Sequence, residues 1–314
     1  MFGMRILRFS SPARPILIAG PTASGKSALA LALGERIGGV VINADSMQVY
    51  ADLAIITARP PAADLARAPH VLYGHVRAAE AYSVGRWLAD IAGALETAGA
   101  DGRVPIIAGG TGLYFEALLN GLSPVPGIAP GVRAHWRAEA ARLGPLALHA
   151  ELSARDPAMA ARLRPSDPQR VTRALEVLES TGRSLAEWQG VASQPVIKSH
   201  AAVRIVLTPD RDSLYARCNA RFDAMLAEGA LQEVAALKAQ ALPPELPAMR
   251  ATGVRELMAH LRGELSLETA AQAAKAETRR FAKRQGTWIR NRMKDWTTVA
   301  PGDAERVAGM VRQS

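Results

Sequence analysis

The segment Pro15-Ile16-Leu17-Ile18-Ala19-Gly20-Pro21-Thr22-Ala23-Ser24-Gly25-Lys26-Ser27 sets the architecture of this chain. Its first five residues form a short apolar run of the kind that makes a buried strand. Gly20 to Ser27 then match the pattern G-x-x-x-x-G-K-[ST], and a helical pattern runs on from Lys26 to Ile37. Each position has a physical reason. The glycines let the backbone curl until successive N–H groups and the helix N-terminus face one anion. Lys26 adds a point charge for the outer phosphate oxygens, and the Ser27 hydroxyl can hold Mg²⁺. Gly20, Pro21, Thr22, Ala23, Ser24, Gly25, Lys26 and Ser27 are therefore the expected diphosphate- or nucleotide-binding residues.

Outward from this cradle, apolar runs alternate with helical patterns. Strands are expected at Gly39 to Ala44, Val71 to Tyr73 and Val104 to Ala108, and a helix at Ser83 to Gly99 with Ser83 as its cap. Such an order predicts an α/β fold, a P-loop-type parallel sheet core with helices on both faces. A proline-rich break at Ser123-Pro124-Val125-Pro126-Gly127 precedes a stretch with only helical periodicity, from about Val132 to Gln189. The run Ala202 to Leu207 then returns to the sheet, followed by helices at Asp212 to Glu228 and Ser266 to Arg292. The predicted organisation is a catalytic core of residues 1–128 and 196–314 carrying an all-helical insertion domain of residues 129–195.

Composition narrows the class. Hydrophobic residues make up 49% and charged residues 21% of 314, as in an ordinary globular protein. No apolar run approaches the roughly 18 residues of a membrane span, and Met1 to Phe9 lacks the apolar core of a signal peptide. The single Cys218 excludes an internal disulfide framework and a cysteine-based zinc site; a cytoplasmic protein is expected. Lys and Arg number 38 against 29 Asp and Glu, a net charge of +9 that favours a polyanionic partner. Eight basic residues fall between Lys275 and Lys294 against one acid, Glu277, which makes either a solvated helix face or a phosphate-tracking surface. His70, His75 and the other histidines show no metal-ligand spacing.

Two features argue against nucleotide hydrolysis, and the first is that the guanine-reading N-K-x-D signature is missing. The strand Val104 to Ala108 runs not into a magnesium-ordering acid but into Gly109-Gly110-Thr111-Gly112-Leu113-Tyr114, a second glycine turn. The acid lies instead at the end of the second strand, where Asp45 opens Asp45-Ser46-Met47-Gln48-Val49-Tyr50. The carboxyl ends of neighbouring parallel strands line one crevice, so Asp45 is expected to face the cradle as a general base, a metal ligand or a helix cap. Thr111 is expected either to cap its helix or to donate to a substrate phosphate.

These strings together resemble the tRNA dimethylallyltransferase family. Besides 20–27, 45–50 and 109–114, the similarity is carried by Asp167-Pro168-Gln169-Arg170-Val171, by Arg221-Phe222-Asp223-Ala224-Met225-Leu226 and by Ala282-Lys283-Arg284-Gln285-Gly286-Thr287-Trp288, in family order. The resemblance implies that the cradle holds dimethylallyl diphosphate rather than ATP, although such cradles attract an ATP-binding label. It makes Asp45, Thr111 and Arg221 the catalytic residues and Mg²⁺ the cofactor, with Ser27 on the metal. It implies transfer to N6 of the adenosine 3′ of the anticodon, flipped out of the tRNA anticodon stem-loop into a channel between core and insertion. The implied tRNA contacts are Asp45, Ser46, Met47, Gln48, Thr111, Arg133, Gln169, Arg170, Val171, Thr172, Arg173, Met249, Arg250, Ala251, Thr252, Gly253 and Val254. A monomer with no membrane association is implied as well. The sequence departs from the family pattern at Ala54-Ile55-Ile56-Thr57-Ala58-Arg59-Pro60, where the family carries Asp-Ile-Gly-Thr-Ala-Lys-Pro, and at Val254, where an aromatic is common. A small-molecule kinase and a non-catalytic RNA-binding protein are the rival readings.

Overall fold

A computed structural model describes residues 14–191 and 193–312. The stretch Met1 to Phe9, read above for a leader, lies outside the described residues. The chain divides into two compact units, residues 14–120 with 195–312, and residues 121–194. The first division falls at Gly121, ahead of the proline-rich break, because Gly121 takes a positive φ of 78° directly after a helix ending at Asn120.

In the larger unit, β1 (Ile16–Ala19), α1 (Lys26–Ile37), β2 (Gly39–Asn43), α2 (Ala62–Leu65), β3 (His70–Val71), α3 (Val84–Ala100), β4 (Val104–Gly109) and α4 (Gly112–Asn120) come first. The expected third strand stops at Val71, since Leu72 turns to φ 63°. Ser83 caps α3 by accepting the Arg86 N–H. After the smaller unit the chain continues with β5 (Val203–Val206); α5 to α8 belong to that smaller unit and are described below. The strands align in the order β3-β2-β4-β1-β5-β6, where β6 (Thr297–Thr298) is a two-residue edge; every pairing is parallel. In this register Ile16 lies beside Ile106 and Val203.

Side chains alternate across the sheet, so each strand feeds two cores. Ile16, Ile18, Val41, Ile106 and Ile205 pack with Leu29 and Leu33 of α1. Leu17, Ile42, Ile107 and Val206 pack with Trp87, Tyr114 and Phe115 on the other face. Trp87 is fully buried, stacks on Tyr114 at 4.2 Å between ring centroids, and donates its indole N–H to the Asn43 carbonyl at 2.9 Å. Helices on both faces of a parallel sheet are the α/β core that the alternating runs imply.

The smaller unit is all helical: α5 (Pro130–Arg155), broken at Gly144, α6 (Pro157–Ala160), α7 (Pro168–Thr181) and α8 (Leu185–Gly190). Asp167 caps α7 by accepting the Arg170 N–H, and Val171, Ala174 and Leu175 bury against Trp136, Leu148 and Leu152. The larger unit closes with α9 (Arg211–Ala227), α10 (Ala230–Ala239), α11 (Val254–Leu261), α12 (Leu267–Arg292) and α13 (Ala304–Arg312). Ser266 caps α12 by accepting the Thr269 N–H, so this 26-residue helix starts where the sequence places it. The sequence reading did not include α2, α10, α11, β6 or α13. Among the described residues no helix is long and apolar enough to cross a membrane.

Candidate active site

Three adjacent strands deliver three turns to one edge of the sheet: the cradle after β1, Asp45 after β2 and Gly110-Thr111 after β4. Hydrogen bonds join the turns. The Thr111 N–H donates to the Ala44 carbonyl at 3.2 Å, and the Thr111 hydroxyl accepts the Ser46 N–H at 2.9 Å. Gln285 of α12 ties the cradle to the third turn, because its Oε1 accepts the Thr22 N–H and its Nε2 donates to the Gly110 carbonyl, both at 2.9 Å. The Thr111 hydroxyl also lies 3.3 Å from the Ser46 hydroxyl, to which it donates. Its work in this structure is to hold the Asp45-Ser46 turn.

Asp45 is positioned by its own neighbourhood. The buried Asn43 side chain accepts the Asp45 N–H at 2.8 Å and donates to the carbonyls of Asp45 and Leu72 at 2.9 and 3.0 Å. Asp45 Oδ1 accepts the Met47 N–H at 2.9 Å, which is a local turn rather than a helix cap. Among the described residues its Oδ2 has no hydrogen-bond partner. The carboxylate borders a cavity of about 420 Å³, together with Thr22, Arg221, Phe222 and Phe281.

A second cavity, of about 1040 Å³, opens over the cradle and is lined by Lys26, Ser27, Arg217 and Arg221. Arg221 borders both cavities and reaches the Thr22 hydroxyl at 3.5 Å. Lys26 donates to the Pro21 carbonyl at 3.3 Å. Burial lowers the Lys26 ammonium to about 8; Asp45 works against that shift, and Arg221 adds to it. Burial likewise lowers Arg221, with Asp45 opposing. Cys218 sits among Arg221, Arg217, Arg279 and Lys26, yet burial outweighs these cations and raises its thiol. Two polar groups beside the cradle are buried without partners, the Ser24 hydroxyl and the Nε and Nη2 of Arg217. A cradle with positive φ at Ala23 and Gly25, half-buried cations and unsatisfied donors can offer several hydrogen bonds to one anion.

The chain is similar to known proteins along nearly its whole length. The IPP transferase family model matches residues 48–292, and the isopentenyl transferase model matches residues 14–75. The chain belongs to the IPP transferase family. A tRNA dimethylallyltransferase of Nitrobacter hamburgensis is 58% identical over 290 residues, 92% of each chain. One of Rhodopseudomonas palustris is 53% identical over 317 residues, covering 97% of this chain and 98% of the relative. Among solved structures, the full-length tRNA isopentenylpyrophosphate transferase of Bacillus halodurans matches with a TM-score of 0.69 and 32% identity, over 96% of each chain. A eukaryotic dimethylallyltransferase, captured in crystallographic snapshots acting on tRNA, matches with a TM-score of 0.77 and 28% identity, over 96% of this chain and 77% of that one.

The structure also sorts the family-derived tRNA contacts. Arg133, Gln169 and Arg170 are exposed on the helical unit and Arg173 is half-buried, whereas Val171 lies wholly in that unit's core. Thr172 is nearly buried and donates to the Pro168 carbonyl at 2.8 Å. In the segment 249–254, Arg250 is exposed and Met249 and Thr252 are half-buried, but Ala251, Gly253 and Val254 are packed inside. The buried side chains, those of Val171, Ala251 and Val254, shape these segments without offering a surface. Met47 and Gln48 are half-buried, and Gln48 spends its Nε2 on the carbonyls of Thr57 and Ala58 at 3.0 and 2.8 Å.

That last contact belongs to the loop that departs from the family string. Glu233 of α10 accepts three successive N–H groups, those of Ala54, Ile55 and Ile56, at 2.6, 2.8 and 2.9 Å. One carboxylate thus pins a loop whose residues line both cavities. Ile56 is buried and reaches toward Gly253, where a methyl group would meet it at 3.1 Å and Phe222 at 2.8 Å. Sequence reasoning missed Glu233, Gln285 and Asn43. Only the string holding Gln285 gave any signal.

Proposed function

We propose that the chain, acting as a cytoplasmic monomer, transfers the dimethylallyl group of dimethylallyl diphosphate to the N6 amine of the adenosine 3′-adjacent to the tRNA anticodon. The observation that carries this reading is Arg221, which borders both the cavity over the cradle and the cavity beside Asp45. A donor seated with its diphosphate in the first directs its allylic carbon past Arg221 toward the second. There the adenine amine approaches from the Asp45 side.

The N6 lone pair forms the new bond to the allylic carbon as the carbon–oxygen bond breaks, and that electron pair departs with the diphosphate. Asp45 accepts the proton that N6 must lose, through the oxygen left free by Met47. Lys26, Arg221 and the cradle N–H groups stabilise the charge growing on the leaving group. Because the amine is a weak nucleophile, holding the two substrates in line contributes as much as basicity. Asn43, Thr111 and Gln285 provide that rigidity. Among the described residues there is no cluster of three His, Cys, Asp or Glu side chains for a metal. A Mg²⁺ ion that keeps its waters and binds substrate phosphate needs only the Ser27 hydroxyl, which is exposed in the larger cavity. When bound, it supplies positive charge to the diphosphate oxygens.

Met47, Gln48 and Arg250 of the larger unit and Arg133, Gln169, Arg170 and Arg173 of the helical unit are the proposed tRNA contacts, joined by the exposed basic residues of α12. The test incubates the protein with Mg²⁺, labelled dimethylallyl diphosphate and unmodified tRNA, beside Asp45→Ala and Lys26→Ala. Label on an N6-prenylated adenosine, lost in both variants, supports the reading. No transfer by the wild type, with ATP turnover on a small substrate instead, sinks it in favour of a kinase.

A further inference from the structure

We infer that Arg217 is a second diphosphate-binding arginine, which grips the distal phosphate of the donor while Arg221 attends the phosphate that leaves the carbon. The assignment rests on the prenyl-donor reading above. Arg217 precedes Arg221 by one turn of α9, so both project from the same face. Their surroundings differ. Arg221 borders both cavities, whereas Arg217 borders only the one over the cradle, with Lys26 and Ser27. That places Arg217 toward the end of the donor remote from Asp45.

The state of the Arg217 guanidinium says what it is built to hold. Its Nε and Nη2 are both shielded from water, and neither has a hydrogen-bond partner. These two nitrogens form the edge of a guanidinium that grips two oxygens of one anion. The same edge is filled elsewhere in this molecule. Arg67 places Nε and Nη2 on the two carboxylate oxygens of Glu35 at 2.8 and 2.9 Å, and Arg142 does so with Glu139 at 3.0 and 2.6 Å. Neighbouring cations are also satisfied: Arg279 by Asn219 at 2.6 Å and Lys275 by Asp223 at 2.6 Å. Arg217 alone among these leaves both nitrogens of its fork without a protein oxygen, on a side chain that lines the cavity over the cradle.

A permanently charged fork that is shielded from solvent and has no protein acceptor is costly unless a ligand completes it. The unpartnered Ser24 hydroxyl beside the same cradle adds a second open donor. A phosphate group offers the paired oxygens that the fork requires. A monophosphate held by the cradle alone would leave Arg217 empty, so this residue selects a diphosphate over a monophosphate.

The experiment measures binding of inorganic diphosphate and of inorganic phosphate to the full chain, in wild type, Arg217→Gln and Arg217→Lys. Donor KM, kcat and tRNA affinity are measured alongside. Arg217→Gln is expected to lower diphosphate affinity roughly 10- to 100-fold and to raise donor KM in parallel. Its kcat at saturating donor should stay within a few-fold, with tRNA affinity unchanged. Arg217→Lys keeps the charge but loses the fork, and is expected to recover only part of the affinity. Unchanged diphosphate affinity in both variants, with tRNA binding and melting temperature intact, overturns the assignment. A wild type that binds no diphosphate overturns the donor reading itself, a result distinct from a mere lack of effect at Arg217.

Discussion

The molecule carries two basic regions that composition alone cannot tell apart, the cradle group (Lys26, Arg217, Arg221) and the face of α12. In the cradle no carboxylate ion-pairs with any of the three among the described residues, and Lys26 is pushed down to about 8 by burial. On α12 the charges are balanced or wet. Arg280 and Arg284 share Glu277 at 3.2 and 2.8 Å, while Lys283, Arg290 and Arg292 are exposed. Dehydrated, unpaired cations bind a small anion tightly at one geometry. Solvated cations along a helix bind a long polyanion loosely, in a salt-dependent way. On the proposed function, like charges in two solvent environments take two different jobs, one for the donor and one for tRNA.

The largest expected break comes at the chemistry. Asp45→Ala should lower kcat by about 10²- to 10⁴-fold with tRNA affinity little changed, as read by single-turnover transfer. Next is pH. The free-enzyme Lys26 pKa of about 8 lies below its ordinary 10.5, so the cation that the donor needs is lost as pH rises through about 8. kcat/KM for the donor should therefore fall above that pH, and in Lys26→Arg the fall should disappear. For stability the sign is opposite. The unfolded chain binds this proton more tightly, so the cost of burying the charged Lys26 is fully present below pH 8 and relieved as pH rises toward 10.5.

A middle-sized effect should sharpen the view that the cradle is held rigid from a distance. Gln285→Ala leaves the Thr22 N–H and the Gly110 carbonyl without their partner. It should cost roughly 1–3 kcal/mol in denaturant unfolding, with a rise in donor KM. Glu233→Ala, which frees three N–H groups of the 54–56 loop, should destabilise by a similar amount. The smallest effects belong to α12. Lys283→Ala should lower the slope of log tRNA affinity against log salt by about 1. Glu277→Gln, which unmasks Arg280 and Arg284, should raise tRNA affinity by a few-fold.

Where the sequence was legible, the physics was local. The turn from β1 into α1, the buried runs of β1, β2 and β4, and the cap Ser83 depend on neighbours within a few residues, and the structure bears each of them out. What escaped was long-range. Gln285 meets Thr22 across 263 positions, and Glu233 meets Ala54 across 179. No spacing rule connects such pairs. The edge strand β6 is two residues long, too short for a period to show. The link from Thr111 to Ser46 escaped as well, because it exists only once two separate strands lie near one another. Arg217 and Arg280 read alike as arginines on helices; only burial separates a ligand fork from a surface charge.

The most direct test of the division of labour measures two affinities in two variants. Binding of dimethylallyl diphosphate and of unmodified tRNA would be compared in Lys26→Ala and in the double variant Lys283→Ala/Arg284→Ala. The account predicts a crossed result: the first variant loses the diphosphate and keeps tRNA, and the second keeps the diphosphate and loses tRNA affinity with a shallower salt dependence. Both variants weakening both ligands equally would contradict it, because the two basic regions would then form a single polyanion surface.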